Sequence, residues 1–587
     1  MDTIGDVRKR LEDMNLKNDE WEIEQGIPQF EDPFIQQYFN GREALIEQEH
    51  KQRSDHAFHQ SLSSTAAEAS AIIAQIREEE LQTLWTPGQD DNVTAIYPGM
   101  MFTMAKERME RSSRLYQILQ KFPKGALLHA HLDAMIDMDW LLEKNLSTPG
   151  ICMCSLAALG TQEERKVGSF YFQYFEAAPI EQSSIWISPP TSPTIIPINQ
   201  AAETFPDGGR EGFKSWLKSR VTITVEESIR HQEGVNAIWK KFATCFPIIN
   251  SLLFYEPVFR EALQQIFHEL IEDRIHYCDF RLAFNVFEYR KANSELPEEG
   301  YEEFIKVFDE ELSKFQATDE GKSFYGARII WTTLRSLDNR NLINSMKDCI
   351  TLKQAYPHLI AGFDVVGQED FGRPLADITP LLFWFRKRCV EEGVNLPFFF
   401  HAGECLGDGD ETDNNLFDAI LLGTRRIGHG FSLYKHPLLI EMVKERRILI
   451  ESCPISNEVL RLTSSIMSHP LPALLARGVP ACLSNDDPAI LGQEKNGLTH
   501  DFWQALIGWG NLGLAGLASL AENSLRWSCF EDESNQEWLK GIKDGVFGKG
   551  LKAKRLKEWM IDFERFCEWV VEEYGSQYGT QELRGES

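Results

Sequence analysis

Four short polar segments close apolar runs in this chain: His129-Ala130-His131, His401-Ala402-Gly403-Glu404, Arg426-Ile427-Gly428-His429-Gly430 and Ser484-Asn485-Asp486-Asp487-Pro488. Residues two apart on a strand point to one side, so His129 and His131 can bind one ion together. Adding His401 and Asp486 gives three imidazoles and a carboxylate. That donor set suits one zinc ion per chain and leaves a coordination position open, as catalytic sites do. Such a site lowers the pKa of bound water from about 15.7 toward about 7. Glu404, His429 and Asp487 are left over for chemistry. In this reading Glu404 shuttles a proton once a dry, acidic surrounding raises its pKa, His429 is a hydrogen-bond and charge partner, and Asp486 doubles as ligand and base. A His-x-His alone is ordinarily a surface or core feature, and Asp486-Asp487-Pro488 alone could start a helix. The joint pattern, four segments at four separate strand ends, argues for a metal site.

The elements that must position these residues follow from the apolar runs. Runs precede His129, His401 and Ser484, and others occur at 275–284, 327–335, 360–367, 425–430 and 447–454, with helical patterns between most of them. Short apolar runs suit strands buried on both faces. Eight strands alternating with helices, with polar residues at their C-terminal ends, predict a (β/α)8 TIM barrel of the metal-dependent hydrolase type.

At 587 residues the chain exceeds the roughly 250 of a plain barrel. Residues 1–30 are acidic and weakly periodic and read as a mobile segment; 31–122 read as a helical extension with long amphipathic helices at 64–85 and 101–122, which either covers the barrel or makes an oligomer contact. The first strand and its loop occupy 123–145, and 146–234 read as an insertion with turn-rich stretches at 188–193 and 206–209. The remainder of the barrel spans 235–535, and C-terminal helices with a polar tail fill 536–587. His436 and His469, each before a proline, read as loop histidines, and the sequons at Asn92 and Asn145 are short enough to arise by chance.

With 89 acidic against 60 basic residues, a formal charge of -29, nucleic acid is not the expected partner. No apolar stretch reaches a membrane span and no signal peptide is visible, so the expected location is cytoplasmic. Eleven scattered cysteines do not form a disulfide framework, and Cys152-Met153-Cys154 without a second pair is a weak metal motif.

These segments resemble the adenosine and AMP deaminase family of zinc aminohydrolases, and within it the adenosine deaminase-related growth factors, which include an extracellular animal enzyme. Further likeness lies in Lys124-Gly125-Ala126-Leu127-Leu128-His129, Tyr255-Glu256-Pro257-Val258-Phe259-Arg260, the stretch 361–370 and Cys453-Pro454-Ile455-Ser456-Asn457. The resemblance implies zinc on His129, His131, His401 and Asp486, protonation of purine N1 by Glu404, and an attacking hydroxide steadied by His429. It also implies ring nitrogens bound by Asp487 and the Gly367 backbone, ribose met by Asp133, and a pocket wall at Trp239, which composition alone reads as a core tryptophan. The implied reaction is deamination of adenosine or 2′-deoxyadenosine to the inosine product, in a homodimer made through the helical extension, with an extracellular location as the family's alternative. Leu334 departs from the pattern, standing where animal members carry a histidine near the ribose. AMP or an N6-substituted adenosine is the alternative substrate, with Arg373 and Lys435 as the cations nearest the motifs, and a catalytically silent binding protein is the alternative class.

Overall fold

The computed structural model describes residues 21, 25–85, 102–155, 159–177, 185–186 and 194–578. Most of 1–30, the turn-rich stretch 188–193, Asn92 and the last residues of the tail lie outside them. No helix among the described residues is long and apolar enough to cross a membrane.

The barrel strands are β1 (Gly125–His131), β5 (Ile275–Ala283), β6 (Gly326–Leu334), β7 (Ile360–Val366), β8 (His401–Ala402), β9 (Arg426–His429), β10 (Leu449–Ser452) and β11 (Ala481–Leu483). They are almost entirely buried, as parallel strands covered by helices on one side and filling a barrel on the other must be. Pairing is parallel throughout, in two four-stranded sheets ordered β1-β5-β6-β7 and β11-β10-β9-β8. The two meet at two seams, each carried by a single bridge: Phe363 with Phe398, and Ala130 with Asp486. The ring of eight is therefore not one continuous ladder. At the second seam the His131 amide donates to the Asp486 carbonyl (2.9 Å) and the Asp486 amide to the His129 carbonyl (3.1 Å). The apolar run 396–400 lies before β8 and is not a regular strand: it bridges Phe363 and its Phe398 and Phe400 carbonyls accept from the amides of Arg425 and Gly428 (both 2.9 Å), while Pro397, which cannot donate to a ladder, lies within it.

Outside the barrel, helix Ser64–Thr83 is capped by Ser63, whose hydroxyl accepts from the Ala66 amide (3.0 Å). It buries Ala66, Ala69, Ile72, Ile73 and Ile76 and packs on the terminal helix Leu551–Tyr578. The pattern at 101–122 resolves into two helices, Phe102–Ser112 and Arg114–Gln120, because Ser113 takes extended backbone and caps the second through the Tyr116 amide. Helix Pro33–His50 buries no residue.

Within 146–234 lies a small antiparallel sheet absent from the sequence reading: β2 (Ile151–Ser155) flanked by β3 (Phe170–Tyr174) and β4 (Thr194–Pro197). Cys152 and Cys154 are buried free thiols of its central strand. Helix Gly234–Leu253 then runs across the barrel mouth, touching the turn that follows β1.

Candidate active site

The C-terminal ends of β1, β8 and β9 and the turn after β11 bring His129, His131, His401, His429 and Asp486 together, each 6 % exposed or less. The ligating atoms of His129, His131, His401 and Asp486 all lie within 4.8 Å of one another. Both His429 (φ 63°) and Asp486 (φ 61°) adopt left-handed backbone, uncommon for non-glycine residues and a mark of strain held by the surroundings. At Gly428 a Cβ would lie 2.7 Å from His129 Cε1. Only glycine lets β9 pass this close to the His129 ring.

Charged groups buried inside the barrel aim the rings. His129 Nδ1 meets Glu451 Oε2 at 2.9 Å, and His401 Nδ1 meets Asp364 Oδ2 at 2.7 Å. Arg281 ties both carboxylates together, at 2.9 Å to Asp364 and 2.7 Å to Glu451. Arg426 joins Glu451 and lies 2.9 Å from Asp279. Burial alone would raise both carboxyls, but His401 and Arg281 at Asp364, and Arg281 and Arg426 at Glu451, outweigh it and hold both well below the usual carboxylate range. An ionised carboxylate only accepts, so both imidazoles donate from Nδ1 and present Nε2 lone pairs. Burial pushes His401 down to about 3, keeping it neutral as a ligand must be.

This disposition fits a cation. His129 Nε2, a lone pair, lies 3.2 Å from Asp486 Oδ1, and His131 Nε2 lies 3.4 Å from the same oxygen. Yet among the described residues His129 Nε2 and Asp486 Oδ1 are buried without a hydrogen-bond partner. Acceptors facing acceptors in a dry site are costly unless a positive ion lies among them. A second grouping replaces His131 and His401 with His429 and Cys453. It fits less well, because burial pushes the Cys453 thiol far above its usual value and zinc takes the thiolate.

Around this cluster stand the other sequence-predicted residues. A cavity of about 620 Å³ is lined by His131, Asp133, Trp239, Gly367, His401, Glu404, His429, Asp486 and Asp487, among others. Glu404 Oε1 lies 3.5 Å from His429 Nε2, and Asp486 Oδ2 lies 3.7 Å from it. Burial, then the charges of Asp486 and Glu369, push the Glu404 carboxyl well above its usual value, against Arg335. Glu369 also builds the turn, accepting from the Gly403 amide (3.3 Å) and the Glu404 amide (2.8 Å). Asp487 is raised by burial, Asp486 and Asp133, whereas Asp486 is lowered, because His429, His129 and His131 outweigh its burial. Asp133 is raised by burial. Gly367 (φ 113°) takes a backbone that favours glycine and presents a bare main chain to the cavity. Trp239 packs edge-on to Phe242, 5.1 Å between ring centres, at the cavity's outer wall.

Sequence reasoning assigned no role to Asp279, Arg281, Asp364, Glu369, Glu451 and Ser456, whose hydroxyl donates to Asp486 Oδ2 at 2.7 Å. A signal was present: Asp279, Arg281, Asp364 and Glu451 each interrupt an apolar strand, and charges in a buried strand need partners. His469 does lie in a loop but is buried, whereas His436 is an ordinary loop histidine paired with Asp413 at 3.0 Å.

Fold and site together define an α/β barrel hydrolase of the metal-dependent type. The family described as adenosine deaminase matches residues 217–545, over half of the chain. Adenosine deaminase 2-A of Danio rerio is 32 % identical over 451 residues, covering 76 % of this chain and 83 % of that protein. Adenosine deaminase 2 of Homo sapiens is 34 % identical over 482 residues, 80 % of this chain and 88 % of its own. Adenosine deaminase 2 of Dictyostelium discoideum is 28 % identical over 550 residues, 93 % and 89 % respectively. The chain belongs to the adenosine deaminase family.

Proposed function

We propose that this protein is an adenosine deaminase, hydrolysing adenosine and 2′-deoxyadenosine to inosine or 2′-deoxyinosine and ammonia. The observation that carries the reading is the placement of Glu404, a buried carboxyl beside His429, in the lining of the same cavity as the cation-ready cluster, where burial and the charges of Asp486 and Glu369 raise its pKa. His129, His131, His401 and Asp486 would hold the metal, zinc by the chemistry of the donors, which supplies Lewis acidity and an acidified water. Glu404 donates its proton to purine N1, making C6 electrophilic. Asp486, braced by Ser456, takes the proton of the attacking water, and His429 orients the oxygen. Asp487, its pKa raised by burial and the charges of Asp486 and Asp133, meets a ring nitrogen, with the Gly367 backbone against the purine edge and Asp133 on the ribose. Oxygen bonds to C6 to give a tetrahedral adduct; the C6–N6 bond then breaks as N6 takes the proton held by Asp486 and leaves as ammonia, while the adduct's hydroxyl proton returns to Glu404 and N1 keeps its own.

Nucleosides suit the cavity better than nucleotides. Trp239, Phe242, Phe246, Val286, Leu334 and Phe371 wall its outer part, and Lys240 is the one lysine or arginine lining it among the described residues. Arg373 is engaged by Asp377, Asn339 and the Leu337 carbonyl, and Lys435 by the carbonyls of Leu406 and Gly407. Neither is free for a phosphate.

Two finer readings belong to the same proposal. Helix Pro33–His50 exposes Phe34, Tyr38 and Leu45 by 57, 65 and 68 %, which suits burial against a second copy of the chain; serine at all three should shift the sedimentation mass to that of a monomer. Eleven free, buried thiols suit a reducing compartment, the cytoplasm.

The deciding experiment offers the zinc-loaded protein adenosine, 2′-deoxyadenosine, AMP and N6-methyladenosine, following ammonia and purine absorbance. Turnover of the first two alone is expected; no turnover of any with metal bound would overturn the proposal. Glu404→Gln should keep the metal and lose about 10²- to 10⁴-fold in kcat.

A further inference from the structure

His129 and His401 have carboxylates on their Nδ1 atoms; His429 is held there by an amide instead. Its Nδ1 lies 3.2 Å from Asn457 Nδ2, and the Asn457 Oδ1 lies 3.0 Å from His469 Nε2. His469 Nδ1 in turn lies 3.1 Å from the backbone nitrogen of Leu471. All three side chains are buried, at 2, 0 and 6 % exposure.

The direction of this chain follows from its far end. A backbone N–H can only donate, so His469 Nδ1 accepts and its proton sits on Nε2. That proton needs an acceptor, which pins the Asn457 amide with Oδ1 toward His469 and Nδ2 toward His429. An amide nitrogen only donates, so His429 Nδ1 accepts and His429 carries its proton on Nε2. This nitrogen faces Glu404 Oε1 at 3.5 Å and Asp486 Oδ2 at 3.7 Å. The opposite amide orientation would set two donors head to head in a dry site.

The anchoring is rigid. The Asn457 carbonyl accepts from the amides of Leu462 (2.9 Å) and Thr463 (3.1 Å). The His469 ring lies between Phe431 and Trp509, with ring centres 5.4 and 5.8 Å away. Burial pushes its pKa down to about 3, so it remains neutral while it donates.

We propose that His469 and Asn457 are positioning residues that fix His429 as the Nε2-protonated tautomer, so that it acts as a hydrogen-bond donor toward the attacking oxygen and not as a metal ligand. The role at the oxygen rests on the deaminase reading above; the tautomer does not.

The test reads the tautomer directly, from 15N shifts of histidine-labelled protein, metal-free and zinc-loaded, with the His429 signals assigned by His429→Gln. Wild type should show protonated Nε2 and bare Nδ1. Asn457→Asp is nearly isosteric but offers only acceptors, so His429 should switch to the Nδ1-protonated form. His469→Leu should give a mixture, and His469→Gln, which can still donate to Asn457, should restore the wild-type signal. In activity, Asn457→Asp and His469→Leu should lose on the order of ten- to a hundredfold in kcat, with KM for adenosine and zinc content nearly unchanged, and His469→Gln should recover most of it. An Nδ1-protonated His429 in wild type, or an unaltered tautomer in Asn457→Asp, overturns the inference. So does unchanged kcat in both losing variants when wild type deaminates adenosine, an outcome that leaves the deaminase reading standing. If His469→Leu does not fold, Asn457→Asp decides.

Discussion

The two halves of the barrel are built differently. In β1, β5, β6 and β7 the strands run seven to nine residues, and the site residues of this half are two histidines of β1, Asp133 in the following turn and the bare Gly367. In β8 to β11 the strands run two to four residues, and this half supplies His401, Glu404, His429, Asp486 and Asp487. Long ladders fix register and direction. Short ones release the chain early into turns, where left-handed backbone such as that of His429 and Asp486 is possible. What short strands lose in ladder, side chains restore across the halves. Asp364 of the long half aims His401 of the short one, Glu451 of the short half aims His129 of the long one, and Arg281 joins the two carboxylates. Each half orients a candidate ligand of the other.

This cross-bracing can be broken in graded steps. His131→Ala removes a ligand and should abolish stoichiometric metal, read by elemental analysis, together with activity. Asp364→Asn and Glu451→Gln each remove one brace and should weaken metal binding by about 10- to 100-fold, by competition with a chelating dye. Similar losses would support reciprocity; a loss confined to one would show that one half dominates. Gly428→Ala drives a methyl into the His129 ring and should cost about 1–3 kcal/mol in urea unfolding as well as some metal affinity. Glu369→Gln should have the smallest effect on rate at neutral pH and the clearest on the pH profile. In the proposed reaction Glu404 works in its protonated form, present below its raised pKa and lost as pH rises through it. Taking away the Glu369 charge lowers that pKa, so the alkaline limb of kcat should move to lower pH; a stationary limb would show that Glu369 only shapes the turn.

Much of this was legible in the chain. Seven of the eight strands lie within or overlap apolar runs and the eighth, β8, begins where the run 396–400 ends, because a parallel barrel buries both faces and leaves its polar residues at the strand ends. The four motif segments announced the residues that converge on the cavity. The bracing charges were printed just as plainly, as Asp279 and Arg281 in β5 or Glu451 in β10, but their partners lie one or more strands away and no local spacing relates them. His469 shows the same limit. Before a proline it looks like any loop histidine, and only the fold places it behind Asn457. The sheet of β2, β3 and β4 escaped for another reason: its strands are four or five residues long, and turn-rich stretches separate them.

The seam between β1 and the turn after β11 joins residues some 350 positions apart in the chain through one bridge, and closing so long a loop costs conformational entropy that few backbone bonds repay. His129 and His131 stand on one side and Asp486 on the other, so an ion held among them fastens the seam. A metal bound there would be a clasp as well as a reagent. Amide hydrogens of His131 and Asp486 should exchange with solvent far sooner in the chelated protein than in the loaded one, while those at the Phe363–Phe398 seam, which no ligand straddles, should change less.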